Sequence, residues 1–258
     1  MSTDENEKYL VPALIRGLKI LELFSPTKKE LALSEIANNL EINRSSAFRL
    51  VQTLEYCGYI SRNAQKNYTL NIKALQLGYS VLAHIDITEK AIPIMQELRD
   101  QAHTAVHLSV LDSTDIVYVQ NIQALGAFTS NINIGTRWPA HATVIGQILL
   151  SSLTDNEVIN LYKNFNNWEI YSEATPKNID ELLIKIHAAR KSEYLTSWRQ
   201  FNKDMVASAA PVRHPIQRTI PYVLSVSHPA YSLDRTKYEA EVIPHLIEAA
   251  KKMSSYIA

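Results

Sequence analysis

Residues 31–70, LALSEIANNLEINRSSAFRLVQTLEYCGYISRNAQKNYTL, contain two short helical patterns joined by a tight turn and followed by two short β-type runs. Ser34 is predicted to cap a helix that ends near Leu40, because a short hydroxyl side chain can accept a hydrogen bond from a free first-turn amide. Asn43 is predicted to cap a second helix, which continues toward Tyr56, for the same reason. Two helices, a tight turn and a β-ribbon are typical of a winged helix-turn-helix.

The second predicted helix has an apolar face and a polar face. Its apolar stripe, at the spacing of a buried helical surface, consists of Ala47, Leu50, Val51 and Leu54. The other face carries donor-rich side chains of the kind that reach phosphates and base edges in a major groove, namely Arg44, Ser45, Ser46, Arg49 and Gln52, with Phe48 on the same helix. This pattern predicts a helix that reads DNA.

A further amphipathic helix is predicted ahead of this motif, over residues 13–24, and is expected to end near Pro26. Its apolar face, spaced at three and four residues, consists of Leu14, Leu18, Leu21 and Phe24. We therefore expect this helix to complete a three-helix core.

After the second helix of the motif, residues 59–61 and 68–70 are predicted strands, and the polar segment between them forms the wing. Arg62 and Lys66 in this segment are candidate contacts to the DNA backbone, although an exposed polar turn is an equal alternative. The candidate DNA-binding residues are Arg16, Ser34, Asn43, Arg44, Ser45, Ser46, Phe48, Arg49, Gln52, Arg62 and Lys66.

The distribution of charge favours a nucleic-acid partner more than the total charge does. The chain of 258 residues has a formal net charge of +0, yet residues 8–73 carry ten Lys or Arg against five Asp or Glu. A local positive excess is the electrostatic footprint of DNA binding, although an excess this small also fits an ordinary solvated surface.

The composition and the first residues predict a globular protein of the cytoplasm. Hydrophobic residues make up 46% of the chain, which is sufficient for well-packed cores. The start, MSTDENEKYL, lacks the basic and then apolar pattern of a secretory signal, and no run is long enough to span a bilayer. The single cysteine, Cys57, excludes an intrachain disulfide, and its apolar context predicts a small core residue.

Beyond residue 70 the patterns predict a helical connection and then a mixed α/β domain of the α+β type. Its helices are predicted at residues 70–84, 87–102, 143–151, 155–165, 179–192 and 234–256, the last capped by Ser232 or Asp234. Strands are predicted at residues 105–111, 116–121, 128–134, 205–212 and 221–227, with a hairpin turn at 112–115. This arrangement predicts an antiparallel sheet covered by helices.

Several separated segments together resemble the IclR (isocitrate lyase regulator) family of bacterial transcriptional regulators. Near the amino terminus these are ALIRGLKIL, residues 13–21, and LSEIA, residues 33–37. GTRWPAHATVIGQILL, residues 135–150, resembles the long signature of the family, and AAPV (209–212) and LSVSHP (224–229) resemble its closing strands. The segments extend over nearly the whole chain in the order that the family has.

The resemblance implies a winged helix-turn-helix over residues 1–70, a linker helix over 71–85 and an effector-binding and oligomerisation domain over 86–258. The last of these is implied to have a GAF/PAS-like fold and to bind a small metabolite. The resemblance also implies dimers, often paired into tetramers, on a near-palindromic operator in double-stranded DNA. The loop at residues 133–137 is similar to that of the branch that senses aromatic acids such as protocatechuate.

The family lines its effector pocket with the loop before the signature helix and with the last strands. Carried over residue by residue, the candidates are Gly135, Thr136, Arg137, Ala140, His141, Ser225 and Ser227. The two serines must face the same side of one strand, and the alternative is a solvent-facing pair on an edge strand. His141 and Thr143 have a second interpretation as caps of the following helix.

Residues 198–204 depart from the family pattern, in which many members carry a Glu and then a Gly, and the identity of the ligand stays open at this point. Arg199 and Trp198 offer a carboxylate clamp and a stacking face. The alternative is a surface arginine beside a half-buried tryptophan, which is the commoner arrangement.

The sequence contains no recognised motif for a metal, a cofactor or catalysis. His103 and His107 are four residues apart, but a predicted change from helix to strand falls between them. A nucleophile elbow, a phosphate loop, a Cys-His pair and a His-Glu zinc motif are all missing. The predicted function is a ligand-responsive DNA-binding regulator that senses a small organic acid, and the alternatives are a ligand-independent DNA-binding repressor and an enzyme acting on a small carboxylate.

Overall fold

The computed structural model describes residues 9–83, 87–125 and 132–257, and the chain divides into two compact units, Met1–His84 and Ile85–Ala258. The helices of the first unit are α1 (Pro12–Glu22), α2 (Leu33–Asn39), α3 (Arg44–Tyr56) and α4 (Lys73–Ala83). Its small antiparallel sheet has the order β1-β3-β2 and consists of β1 (Glu30–Leu31), β2 (Ile60–Arg62) and β3 (Tyr68–Leu70). The predicted winged helix-turn-helix is confirmed.

The two helices of the helix-turn-helix begin in different ways. Asn43 caps α3 as predicted, and its Oδ1 accepts a hydrogen bond from the amide of Ser46 at 2.8 Å. The predicted cap at Ser34 is wrong, because α2 begins before this residue and Ser34 is exposed in its first turn. The Glu35 carboxylate accepts the Ala32 amide at 2.8 Å instead, which suits the partial positive charge of a helix amino terminus.

An apolar core joins these three helices to the wing. Its fully buried members are Ile20, Leu31, Ile36, Ala37, Ala47, Val51, Ile60 and Tyr68. The face predicted for α1 is only partly right: Leu21 and Phe24 pack on this core, whereas Leu14 and Leu18 are 62% and 52% exposed. Ile20 is the fully buried position of α1, whereas Leu14 and Leu18, in the first two turns of the helix, form an exposed apolar stripe.

The wing has the predicted strands and one further strand. β2 pairs with β3 in the antiparallel register Ser61 opposite Thr69, and β1 pairs with the other edge of β3. The two-residue length of β1 left no alternation to recognise in the sequence. Cys57, predicted to be buried, is exposed, because α3 ends at Tyr56 and the helical spacing from Leu54 no longer applies.

The second unit is built on a six-stranded antiparallel sheet of order β6-β5-β4-β9-β8-β7. Its strands are β4 (Ala105–Asp112), β5 (Asp115–Ile122), β6 (Arg137–Pro139), β7 (Leu195–Trp198), β8 (Met205–Val212) and β9 (Tyr222–Pro229). The predicted antiparallel α+β fold is confirmed, although the sequence patterns missed β6 and β7. The strand predicted over residues 128–134 falls mainly on 126–131, outside the described residues, and residues 132–134 are not a strand.

Helices cover both faces of this sheet. They are α5 (Thr88–Ala102), α6 (Val144–Leu150), α7 (Asp155–Leu161), α8 (Ile179–Arg190), α9 (Arg235–Glu241) and α10 (Ile243–Ser254). α6 packs on one face, while α5 and α10 pack against each other and on the opposite face. Within the described ranges, no helix has the length and apolar character that a membrane span requires.

The helix predicted over residues 234–256 is two helices, α9 and α10. Asp234 caps the first as predicted, and its Oδ1 accepts the Lys237 amide at 2.8 Å. Pro244 lies in the first turn of α10, where its missing amide hydrogen costs no helical bond, and this explains why a new helix starts there.

The helix α6 is buried along its whole length and approaches the chain before it closely. Thr143 caps α6, and its Oγ1 accepts the Gly146 amide at 3.0 Å. A Cβ built on Gly146 would lie 2.2 Å from the carbonyl oxygen of Ala140. The short helical turn Ala140–Ala142 and the first turn of α6 are therefore in contact through a backbone position that only glycine fits.

Candidate DNA-binding and effector-binding sites

The helix α3 presents one exposed stripe to solvent. Its members, at the i, i+3, i+4 and i+7 spacing of one helical face, are Ser45, Phe48, Arg49 and Gln52. Arg44 at the start of the helix is also exposed, whereas Ser46 is half-buried. The buried residues Ala47 and Val51 lie on the opposite side, so the predicted division of this helix into two faces is correct.

The two arginines at the exposed surface of α3 are available to a ligand. Neither Arg44 nor Arg49 forms an ion pair among the residues that the structure describes. Gln52 is engaged, because its Nε2 donates a hydrogen bond to Glu55 Oε2 at 2.9 Å, a bond that must break before the amide reaches a base. Phe48 is 43% exposed and offers an apolar contact of the kind that thymine methyl groups accept.

The other predicted DNA contacts are exposed, and one of them, Asn43, also has a structural role. Arg16 lines a surface groove of about 340 Å³ beside Lys19. In the wing, Arg62 lies 5.8 Å from the ring centre of Tyr68, and Lys66 is exposed in the turn. Asn43 uses its side-chain carbonyl as the cap of α3, so only its amide nitrogen remains for a contact.

In the second unit, Ser225 and Ser227 lie on β9, a central strand between β4 and β8. Both serines are buried, so the alternative of a solvent-facing pair on an edge strand is wrong. In the register, Ser225 is opposite His107 on β4, and Ser227 is opposite Ala105. Since alternate residues share a face, the two serines, His107 and Ser109 project from the same side of the sheet.

This side of the sheet contains polar atoms without hydrogen-bond partners. We call His107, Ser109, Asn121, Ser225 and Ser227 the polar sheet cluster. The hydroxyls of Ser109 and Ser225 and both ring nitrogens of His107 are buried and make no hydrogen bond of normal geometry with another described residue. Asn121, opposite His107 on β5, donates through Nδ2 to the carbonyl of Ile132, and its side chain is close enough to His107 to influence the pKa of the ring, although its Oδ1 also lacks a partner of normal geometry. Such atoms in a folded core indicate a place that water or a ligand occupies.

A row of aromatic rings leads away from the cluster. The ring of His107 lies 5.4 Å from that of Tyr118, which lies 5.3 Å from Trp138. Trp138 in turn lies 4.9 Å from Phe201, and Phe201 lies 4.5 Å from Tyr171. Tyr118 therefore places an aromatic ring beside His107, and the other rings of the row pack in sequence behind it.

Burial controls the ionisation of this site. It lowers the pKa of the His107 imidazole to about 4, and the side chain of Asn121 offsets only part of that change. His107 is therefore neutral near pH 7 and has one donor and one acceptor nitrogen. His228, on the alternate face of β9, also has its pKa lowered to about 4 by burial, with a smaller contribution from His103.

We expect the lowered pKa of His107 to make the stability of the second unit depend on pH. At pH values above the ordinary value of 6.5, His107 is neutral in the folded and the unfolded chain. As the pH falls below 6.5, the unfolded chain binds a proton that folded His107 does not bind until about pH 4, so stability is lost across this window. At pH 5 the loss is about 2 kcal/mol.

The measurement is urea unfolding at pH 7 and pH 5, followed by tryptophan fluorescence. All three tryptophans, Trp138, Trp168 and Trp198, lie in the second unit, so the signal reports that unit. The His107→Phe variant should lose about 2 kcal/mol less than the original chain between these pH values. Equal losses in both proteins would show that His107 is not neutral in the fold.

Arg137 lies outside the polar sheet cluster, and its assignment to the effector site stays a prediction. It is exposed and binds two carboxylates of the β4–β5 turn, Asp112 at 2.6 Å and Asp115 at 3.2 Å. Its neighbour Trp138 on β6 contacts the aromatic row, so alternation places Arg137 on the other side of the strand. Gly135, with φ of 86°, and Thr136 form the exposed turn that leads into β6.

His141 is buried but packs among rings rather than capping α6. Its ring lies 5.4 Å from Phe165 and 5.3 Å from Trp168, and its Nε2 lies 3.3 Å from the Glu169 carbonyl oxygen. Burial is the largest influence on its pKa, which is lowered. Thr143 alone caps the helix, so the capping alternative is right for Thr143 and wrong for His141. Ala140 is buried against Gly146.

Arg199 directly follows β7 and is exposed. It has a left-handed backbone, with φ of 57°, and its Nη2 donates to the carbonyl oxygen of Ala230 at 3.0 Å. Trp198 packs at 5.5 Å from the ring of Tyr238 and carries Arg235 at 5.4 Å above its face. The surface-arginine alternative therefore describes this pair better than a carboxylate clamp does.

Local sequence patterns do not show which residues the two serines meet on the sheet. The spacing of His107 from His103 carries no such signal, because His103 ends α5 and is exposed. The alternation of His107 and Ser109 within a β-type run was a usable signal, but the pairing of β4 with β9 was needed to align them with Ser225. Among the described residues, no group of three His, Cys, Asp or Glu side chains is arranged to hold a metal ion.

Comparison with known proteins shows what the two units are similar to. Residues 13–64 match the family of the IclR helix-turn-helix domain, and residues 79–255 match the C-terminal domain of the bacterial transcriptional regulator IclR. The HTH-type transcriptional regulator XynR of Escherichia coli (strain K12) is 28% identical over 212 residues, which cover 82% of this chain and 84% of XynR.

Two solved structures extend the comparison. An IclR family transcriptional regulator from Brucella abortus has 28% identity and a TM-score of 0.77, covering 99% of this chain and 96% of its own. An IclR homolog from Microbacterium hydrocarbonoxydans, complexed with 4-hydroxybenzoate, has 18% identity and a TM-score of 0.78 over 94% of this chain and 98% of its own. At 18% identity, the similarity to the Microbacterium protein is a similarity of fold. With both domain families matched in order, this chain belongs to the IclR family of bacterial transcriptional regulators.

Proposed function

We propose that this protein is a cytoplasmic regulator that binds a near-palindromic operator as a dimer and responds to a small organic acid. The observation that carries the DNA-binding part is the exposed stripe of α3, with the unpaired Arg49 at its centre. In the proposed complex this stripe enters the major groove, while Arg16 and the wing residues Arg62 and Lys66 contact phosphates. Residues 1–70 form the DNA-binding domain, 71–85 the linker and 86–258 the effector-binding domain.

Self-association is supported by apolar surface in the first unit. On α1, Leu14, Ile15 and Leu18 are 62%, 36% and 52% exposed. On α4, no residue is buried, and the large exposed side chains are Leu75, Leu77, Tyr79 and Val81. Two exposed apolar helices in one small unit favour burial against a second copy, which a twofold operator also requires. A dimer is the minimum assembly, and two dimers can pair into a tetramer.

The effector is proposed to bind at the polar sheet cluster. The unpaired hydroxyls of Ser109 and Ser225 and the neutral ring of His107 can hydrogen-bond the polar groups of a ligand. Tyr118 and Trp138 provide ring edges and faces for its apolar part. An aromatic hydroxy acid meets both requirements, and the Microbacterium neighbour is complexed with a ligand of this class. The regulatory effect cannot exceed the difference in ligand affinity between the DNA-bound and free states.

A thermal-shift screen with small organic and aromatic acids tests the effector site. We expect at least one aromatic acid to raise the melting temperature and to change the tryptophan fluorescence, since Trp138 lies in the aromatic row. In the Ser225→Ala variant, its affinity should fall about tenfold, as expected when one buried hydrogen bond is lost. The control Ser152→Ala, whose hydroxyl donates to the Leu149 carbonyl, should bind normally.

The two alternative functions give different results in the same experiments. A ligand-independent repressor would bind its operator with the same affinity in the presence of every acid that is screened. An enzyme would turn over an ester or acyl substrate and would lose that turnover when Ser225 or His107 is replaced. Either result would contradict the proposed function of a regulator that responds to an organic acid.

A further inference from the structure

We propose that the second unit has a separate surface site for organic oxyanions with an apolar body. The site is a cleft of about 570 Å³, bounded by the end of β8, by α10 and by the loops that follow α8 and β8. Its volume is within the range of roughly 300–1,000 Å³ that is usual for small-molecule sites. No member of the polar sheet cluster lines it, so the two sites are distinct.

The lining of the cleft has an excess of positive charge. Lys191, Arg213 and Arg218 have no acidic partner among the described residues. Two further cations of the lining are already paired, Arg190 with Asp155 at 2.7 Å and Lys251 with Glu193 at 2.8 Å. The cleft therefore has three uncompensated cationic side chains in a chain whose formal net charge is +0. Cations gathered in a concave surface raise the local concentration of anions.

Internal hydrogen bonds hold the loop after β8 in place. The amide of Arg213 donates to Ser254 Oγ at 2.9 Å, and the amide of Arg218 donates to the His214 carbonyl at 3.0 Å. The Nδ1 atom of His214 accepts the amides of Ile216 and Gln217, each at 3.2 Å. The Nε2 atom of His214 takes no part in these hydrogen bonds within the loop. A preformed loop reduces the entropy cost of binding.

Four apolar residues of the lining, which we call the apolar floor, indicate the class of ligand. It is formed by Ala210 and Pro211 of β8 and by Ile247 and Ala250 of α10. Arg213 and Arg218 can bind a carboxylate or a phosphate through paired N–H donors, whereas the floor favours a ring or an alkyl chain. A bare inorganic anion would leave this floor uncovered, so the expected ligand is an organic carboxylate or phosphate ester.

Calorimetric titration of the full chain tests this site at constant ionic strength, with phenyl phosphate, benzoate and inorganic phosphate as probes. We expect phenyl phosphate to bind at least about fivefold more tightly than inorganic phosphate, because only the ester covers the apolar floor. The benzoate titration shows whether a carboxylate serves as well as a phosphate. Binding of phenyl phosphate should persist in excess random DNA duplex, since the ligand is a free small anion rather than the DNA backbone.

The decisive variant is Arg213→Gln combined with Arg218→Gln, which should weaken phenyl phosphate binding at least about tenfold. The control, Lys163→Gln combined with Lys177→Gln, removes the same charge from exposed positions outside the cleft and should bind normally. Lys191→Gln, a single exposed change, should weaken binding about threefold and serves if the double variant is unstable.

Each of the following results would overturn the proposal. They are no binding of phenyl phosphate or benzoate at millimolar concentration, unchanged affinity in both cleft variants, an equal loss in the lysine control, and equal affinity for inorganic phosphate. The His107→Phe variant must retain phenyl phosphate binding, because a loss there would place the ligand at the polar sheet cluster instead.

Discussion

The Gly146→Ala variant is expected to lose about 3 kcal/mol of unfolding free energy in the second unit, at the upper end of the usual cost of overpacking a core. The added Cβ would lie 2.2 Å from the Ala140 carbonyl oxygen and 2.3 Å from its Cα. Both are backbone atoms, so no side chain can rotate away and the turn Ala140–Ala142 must move. This turn joins β6 to α6, and α6 is buried against the sheet.

Urea unfolding followed by tryptophan fluorescence measures this loss, because the three tryptophans lie in the second unit. The matched control is Gly17→Ala in α1, where a Cβ has no heavy atom within 4 Å. Alanine favours a helix over glycine by about 1 kcal/mol, so this variant should not be destabilised, and its tryptophan transition should not move. A Gly146→Ala protein as stable as the original would mean that Ala140 is not in contact with α6.

Arg49→Ala is expected to lower the affinity for the specific duplex by about 1–3 kcal/mol, or roughly 5- to 150-fold. Arg49 is exposed at the centre of the α3 stripe and forms no ion pair among the described residues. An arginine at such a position can bind guanine through two parallel hydrogen bonds, which a truncated side chain cannot replace. The measurement is a titration of labelled duplex, repeated at several salt concentrations.

Two further variants separate the possible roles of Arg49. Arg49→Lys keeps the charge but loses the planar pair of donors, so it should restore binding if the residue touches only phosphate and fail to restore it if the residue reads a base. Loss of a phosphate contact should also flatten the salt dependence. Lys163→Ala, which removes a charge from the second unit, should have no effect. Unchanged affinity in Arg49→Ala would remove this residue from the interface.

The fold was predictable where local signals agreed with the tertiary structure. In α3, the cap at Asn43 predicted where the helix begins, and the spacing of Ala47 and Val51 predicted which face is buried. In α1 the same repeat was present, but apolar residues occur around the helix, so the pattern could not show that Ile20 is buried and Leu14 exposed. Apolar side chains that pack against another molecule have the same helical spacing as those that pack in the core, so spacing alone does not distinguish the two.

The candidate effector site was only half predictable, because its members come from strands that are distant in sequence. Ser225 and Ser227 were found from their place in the closing segment of the family. Their neighbour His107 lies more than a hundred residues earlier and is placed beside Ser225 by the β4–β9 register alone. For Arg137, the sequence could not show that Asp112 and Asp115 bind its guanidinium, because this pairing depends on how β4, β5 and β6 come together.

Selection of duplexes by the full-length protein from a random pool tests whether α3 reads DNA sequence. We expect a near-palindromic site to emerge, bound at least about a thousandfold more tightly than a scrambled duplex at physiological salt. We also expect this preference to disappear when Arg44 and Arg49 are both replaced by alanine. A selected pool no different from the starting pool, with equal affinity for all duplexes, would show that α3 does not read sequence.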